Sequence, residues 1–180
     1  MELVMESPLC QLVYASQSTF ASSDPKSGID LEVGRILGQS RRNNPRLGIG
    51  GVLYYGDGHF FQVLEGPRSA VQSLYDSIRQ DPRHCNSTVL SHAMIKDRVF
   101  GDWSMKYIPA DPAVKAQLRQ YCHGRFDPFA FDQSMIERMV NLLNRSQSLD
   151  QPEPAPSPAP ASGWRKIWSW LRLPGLDRGV

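Results

Sequence analysis

Residues 8 to 16, "PLCQLVYAS", mix β-branched, aromatic and small residues in a short apolar run and predict a first strand. Alternation places Cys10, Leu12, Tyr14 and Ser16 on one face of it. A Ser/Gly/Pro-rich loop follows, and "IDLEVGRILGQSRRNN" then sets Val33, Ile36, Leu37, Ser40 and Asn44 along one helical stripe. This helix aims two polar side chains, Ser40 and Asn44, the same way as its apolar ones. "LGIGGVLYYGDGHFFQVLEG" predicts a hairpin across Gly56-Asp57-Gly58, because an Asp-Gly step accepts the positive φ angles of a tight turn. Phe60, Gln62 and Leu64 share one face of its second strand, with Phe61, Val63 and Glu65 on the other.

A second amphipathic helix is predicted in "GPRSAVQSLYDSIRQDP", where Pro67 suits a helix start, Val71, Leu74, Tyr75 and Ile78 form a stripe, and Pro82 stops the run. "STVLSHAMIKDRVF" and "WSMKYIP" predict two last strands, separated by a turn around Gly101 and Asp102. The order strand, helix, strand, strand, helix, strand, strand is that of an α+β, ferredoxin-like domain: a five-stranded mixed sheet with two helices on one face. Two more helical segments, "PAVKAQLRQYCHG" and "DQSMIERMVNLLNRS", are expected to cap the opposite face. The chain thus divides into a domain over 8–108, a helical cap over 109–149, a Pro/Ala-rich linker over 150–163 and a basic, tryptophan-rich tail over 164–180. On a helix, the tail would carry Trp164, Ile167, Trp168 and Leu171 on one side, a pattern that fits either a membrane surface, through residues 164–173, or a groove on a partner. A tail folded back on its own domain is the plainer alternative.

With 41% hydrophobic and 21% charged residues, the 180-residue chain has an ordinary globular composition. Its formal charge of +2 comes from interspersed residues of both signs, so no basic field points to nucleic acid. Cys10, Cys85 and Cys122 lie far apart, without the spacing of a zinc site, and read as reduced thiols. Glu2 and Glu6 stand where a signal peptide carries basic residues, and no apolar run reaches membrane-spanning length, so a cytoplasmic protein is expected.

Tyr14, Asn44 and Gln62 are all expected to face the interior between sheet and helices. Buried polar groups need partners. Either a core Tyr-Gln hydrogen bond with an Asn helix cap satisfies them, which periodicity alone favours, or a polar ligand lies between sheet and helices.

The stretch "QSRRNNPRLGIGGVLYYGDGHFFQVLEGP", with "DPRH" at 81–84 and "FGDWSMKY" at 100–107, closely resembles the BLUF family of flavin-binding blue-light sensors. The resemblance spans about residues 9 to 108 and implies the same ferredoxin-like fold, with the flavin, usually FAD, held between the two helices. It makes Tyr14 the donor of an electron and a proton to the excited flavin, and Gln62 the switch amide between that phenol and the ring. Asn44, with Asn43 beside it, would meet the ring's polar edge, and Ser40 would hold Gln62. Trp103 and Met105, on the last strand, would pass the signal outward. Arg83 and His84 match a segment near the ring edge, with an exposed loop after a helix as their plain alternative.

The chain departs from the family at "GIGG", where position 50 usually carries threonine; Gly50 implies a looser start to that strand. The loop from Ser18 to Gly28 is also longer than the family's. The expected function is a flavin photoreceptor with no enzymatic output of its own, acting through a partner or a homo-oligomer. The alternatives are a small ferredoxin-like hydrolase and a light-independent scaffold. "SRRNNPRLG" offers the hydrolase an Arg and an Asn, but they close a helix rather than follow a phosphate-binding loop.

Overall fold

The computed structural model describes residues 7–21, 29–108, 115–116, 118 and 125–146. Its strands are β1 (Leu9–Ser18), β2 (Gly50–Gly56), β3 (His59–Pro67), β4 (His84–Met94) and β5 (Lys106–Ile108), and its helices α1 (Leu31–Asn43), α2 (Arg68–Ile78) and α3 (Gln133–Arg145). The sheet order is β4-β1-β3-β2-β5, antiparallel except where β5 pairs parallel to β2. This is the expected ferredoxin-like arrangement.

The hairpin turn lies at Asp57 and Gly58, with φ angles of 49° and 79°, so the Asp-Gly step forms a two-residue connection. Its consequence is a register that puts Gln62 opposite Leu53 on β2, and the separate ladder between β1 and β3 puts Gln62 opposite Tyr14. Asp30 caps α1 by accepting the Glu32 N–H at 2.9 Å, just ahead of the apolar stripe that begins at Val33. The Pro67 backbone leads directly into α2.

Two cores flank the sheet. On one face Leu12, Tyr14, Leu53, Phe60 and Leu64 pack against Val33, Ile36 and Leu37 of α1 and Ala70, Val71 and Tyr75 of α2. On the other, Val13, Val52, Phe61 and Val63 pack against Ile136, Met139 and Leu143 of α3, with Leu118 and Phe126. Strand alternation therefore sorts Phe60 from Phe61, as the period of two requires. The expected stripe on α3 is met, with Met135 and Leu142 at its half-buried margin. Asp57 adds a tie between the two sides by accepting the Phe126 N–H at 2.7 Å.

The final strand is shorter than expected, beginning at Lys106, so Trp103 and Met105 belong to the turn that precedes it. Residues 96–105 wrap under the sheet edge instead: Trp103 N donates to Phe100 O, and Gly51 N to Trp103 O, both at 3.1 Å. β4 also starts earlier and ends earlier than the apolar pattern suggests, at His84 and Met94. The longer loop before Gly28, most of the first cap segment, Cys122, the linker and the tail lie outside the described residues.

Candidate functional site

A cleft of about 500 Å³, including its open mouth, lies between α1 and α2 over the sheet. Tyr14 and Gln62 form part of its wall, with Ser40, Asn43 and Asn44 from the end of α1 and Arg83 and His84 from the start of β4. Ile36, Leu74 and Ile78 supply aliphatic surface. The structure thus brings together seven of the nine residues singled out in the sequence; Trp103 and Met105 stand behind this wall.

Tyr14 and Gln62 are cross-strand neighbours, 0% and 2% exposed. The Tyr14 hydroxyl donates to Gln62 Oε1 in a short hydrogen bond. The amide's other end, Nε2, donates to Met105 Sδ at 3.3 Å. One amide therefore uses its acceptor towards a phenol and its donor towards a thioether. Burial pushes the Tyr14 phenol far above its ordinary range, with the tilted Tyr75 ring 5.1 Å away, so Tyr14 keeps its proton throughout the physiological range.

Asn44 is 1% exposed and follows the last residue of α1. Its Nδ2 donates to Ser104 O at 2.8 Å, which leaves the amide oxygen and the second N–H as groups it can offer elsewhere. Ser40 lines the same cleft but does not hold Gln62, whose two bonds go to Tyr14 and Met105. Met105 is 1% exposed and packs on the cleft side of the sheet, whereas the half-buried Trp103 ring sits 5.6 Å from Lys106 Nζ. Of that pair, Met105 is the one that meets Gln62.

Arg83 and His84 do not form an exposed loop. His84 Nδ1 lies 2.9 Å from Ser16 Oγ, and its ring stacks on Phe60 with centroids 4.6 Å apart. Burial pulls the His84 imidazole down to about 4, so it is neutral at pH 7. Arg83 Nε donates to Asp81 Oδ1 at 2.9 Å and Nη2 to Gln39 Oε1 at 2.8 Å. Burial alone would raise the Asp81 carboxyl, but hydrogen bonds from Arg83 outweigh it and hold the carboxyl below its usual range. This ion pair forms the lip of the cleft.

Gly50 makes the strand start tighter rather than looser. A Cβ there would sit 2.5 Å from Phe100 O and 2.9 Å from Trp103 O. The missing side chain is what lets the turn bearing Trp103 and Met105 lie against β2. Sequence reasoning also gave no role to Glu65, which is fully buried and accepts from Phe100 N at 2.8 Å and Gln11 Nε2 at 2.7 Å. A carboxylate inside an apolar strand run was the available signal.

The donor set suits a flat, largely apolar ring with one polar edge: aliphatic side chains on the cleft walls, and the amides of Asn44 and Gln62 at its floor. A flavin has that shape and polarity.

Comparison with known proteins agrees. The sequence profile described as "BLUF: Sensors of blue-light using FAD" matches residues 9–106. The chain is 40% identical over 101 residues to the photoactivated adenylate cyclase subunit beta of Euglena longa, which covers 56% of this chain but only 11% of that protein. It is 35% identical over 98 residues to the blue light- and temperature-regulated antirepressor BluF of Escherichia coli, 54% of this chain and 23% of that one. Among solved structures, BlsA in its photo-activated state aligns with a TM-score of 0.69 at 31% identity, covering 79% of this chain and 99% of BlsA. The dark state of BlrB aligns at 0.65 with 30% identity, covering 79% and 100%. Fold, cleft and sequence agree on one assignment: the chain belongs to the BLUF family of flavin-based blue-light sensors.

Proposed function

We propose that this chain binds FAD between α1 and α2 and stores illumination as a changed hydrogen-bond pattern at Gln62, which it passes to a partner. The observation that carries this reading is the single buried amide joined to Tyr14 at one end and Met105 at the other. FAD is preferred over FMN on the family's description.

In this reading Asn44, through its amide oxygen and second N–H, and Asn43 would hold the polar edge of the ring, while Ile36, Leu74 and Ile78 would enclose its faces. Ser40, Arg83 and His84 would complete the cleft around it. When bound and excited by blue light, the flavin supplies a strong oxidant at this site. Tyr14 is the donor: a buried phenol releases its electron readily only if its proton leaves too, and the hydrogen bond to Gln62 gives the proton a route. Gln62 can exchange donor and acceptor ends by rotation or tautomerism without moving a charge in a site that solvates none. Its two neighbours respond oppositely, since the phenol can donate or accept whereas the thioether can only accept. Met105 and Trp103 then carry the change away from the cleft.

Output through a partner is supported by relatives that are a cyclase subunit and an antirepressor, and a homo-oligomer in a cytoplasmic setting belongs to the same reading. The surface-seeking pattern of residues 164–173 supports a membrane contact. The deciding experiment is a visible spectrum. Purified protein is expected to be yellow, to shift slightly to the red under blue light and to revert in darkness. A colourless preparation that takes up no added flavin would leave the scaffold or hydrolase in its place.

A further inference from the structure

Lys106 is 5% exposed, and among the described residues no carboxylate pairs with it. Its Nζ donates to Leu143 O and Asn144 O, each at 2.9 Å. Those carbonyls belong to the last turn of α3, which ends at Arg145, and the last carbonyls of a helix have no partner within the helix itself. Ser146 N takes only Leu142 O. The ammonium thus closes the helix end, and the negative end of the helix dipole and the Trp103 ring face, 5.6 Å away, hold the charge. Burial pulls Lys106 below its ordinary range, so solvent contributes little to that holding.

Met105, the residue before it, faces the other way. Its Sδ accepts from Gln62 Nε2, and its carbonyl accepts from Arg41 Nε at 3.3 Å. Two adjacent residues therefore grip opposite sides of the sheet: one the amide in the cleft, the other the end of the cap helix. A thioether accepts an N–H but has nothing to donate to a carbonyl oxygen. An amide that has exchanged its ends therefore loses its bond to Met105.

We infer that Lys106 is the positioning residue that reports the state of Gln62 to α3. With Nε2 on Met105, Lys106 closes the last helical turn. When that bond is lost, the Met105-Lys106 step shifts, Nζ withdraws from Leu143 and Asn144, and the helix end opens. The relay rests on the reading of Gln62 as the light switch, and its test separates the two.

Flavin-loaded full-length protein is compared in darkness and under steady blue light by absorption and by hydrogen exchange of peptides covering 139–146. Wild type should red-shift and exchange roughly ten-fold faster in this segment in light, the loss expected when a partly buried cation leaves a helix C-terminus. Lys106→Met should keep the red shift, exchange fast already in darkness and show no further change in light. Lys106→Arg, which keeps donors and charge, should restore part of the light dependence. A red shift in wild type with unchanged exchange at 139–146 overturns the relay while the switch stands, whether or not the variants fold. A light response of that segment that survives Lys106→Met overturns it equally. No red shift in wild type ends the switch reading, and the relay with it.

Discussion

Tyr14 and Gln62 stand directly opposite each other on the two central strands, and their side chains share one short hydrogen bond. Because β1 and β3 are each paired on both sides, this contact is held by backbone ladders and not by either side chain. Either residue can therefore be changed with the fold intact. Tyr14→Phe and Gln62→Leu should both retain flavin and abolish the light-induced red shift in difference spectra. A normal photocycle in either variant would refute the assignment.

Met105 provides an acceptor that no aliphatic residue replaces. Met105→Leu conserves volume and should cost less than about 1.5 kcal/mol in urea unfolding. It leaves Gln62 Nε2 without its partner in the dark arrangement, so recovery after illumination should slow. Met105→Ala should cost about 2–5 kcal/mol, because it opens a cavity at a residue that is 1% exposed. Unchanged recovery in Met105→Leu would show that the thioether does not hold the dark amide.

Gly50→Ala puts a methyl against two backbone carbonyls, at 2.5 and 2.9 Å. Overpacking of this kind costs about 1–3 kcal/mol, read as a lowered unfolding midpoint. The turn from Phe100 to Met105 must move, so the dark absorption maximum should shift as well. An unchanged midpoint would mean that the turn yields freely.

His84 sets an acid limit. Its folded value of about 4 lies below the ordinary 6.5, so the unfolded chain binds the proton more readily. The stability it contributes is complete above about pH 6.5 and is lost as pH falls towards 4. Urea midpoints should decline across that window, and His84→Gln should flatten the decline. A midpoint independent of pH between 7 and 4 would contradict a neutral, buried imidazole.

The hairpin, the two amphipathic helices and the facing of Tyr14, Gln62 and Asn44 were legible because each follows from a local period of two or 3.6 residues. The Asp57-Gly58 turn even fixed the register that sets Leu53 opposite Gln62. What the period could not reveal was the segment from Phe100 to Met105. It is neither strand nor helix, and its position depends on distant residues: Glu65, Gly51, Asn44 and Arg41 each hold one of its backbone groups. For the same reason Gly50 looked like a loosening, although it is a close approach. An exposed loop stood as the alternative for His84 because its partners, Ser16 and Phe60, lie on other strands. Lys106 carried no signal in the sequence, because a lysine is usually exposed and this one is buried.

β5 is three residues long and borders only β2. Displacing β1 or β3 would unzip two ladders, whereas nudging β5 strains a single parallel one. In the proposed reading the detector therefore sits on the most firmly paired part of the sheet and the moving piece on the least. Lengthening that outermost strand by design should yield a receptor that still sees light and no longer tells anyone.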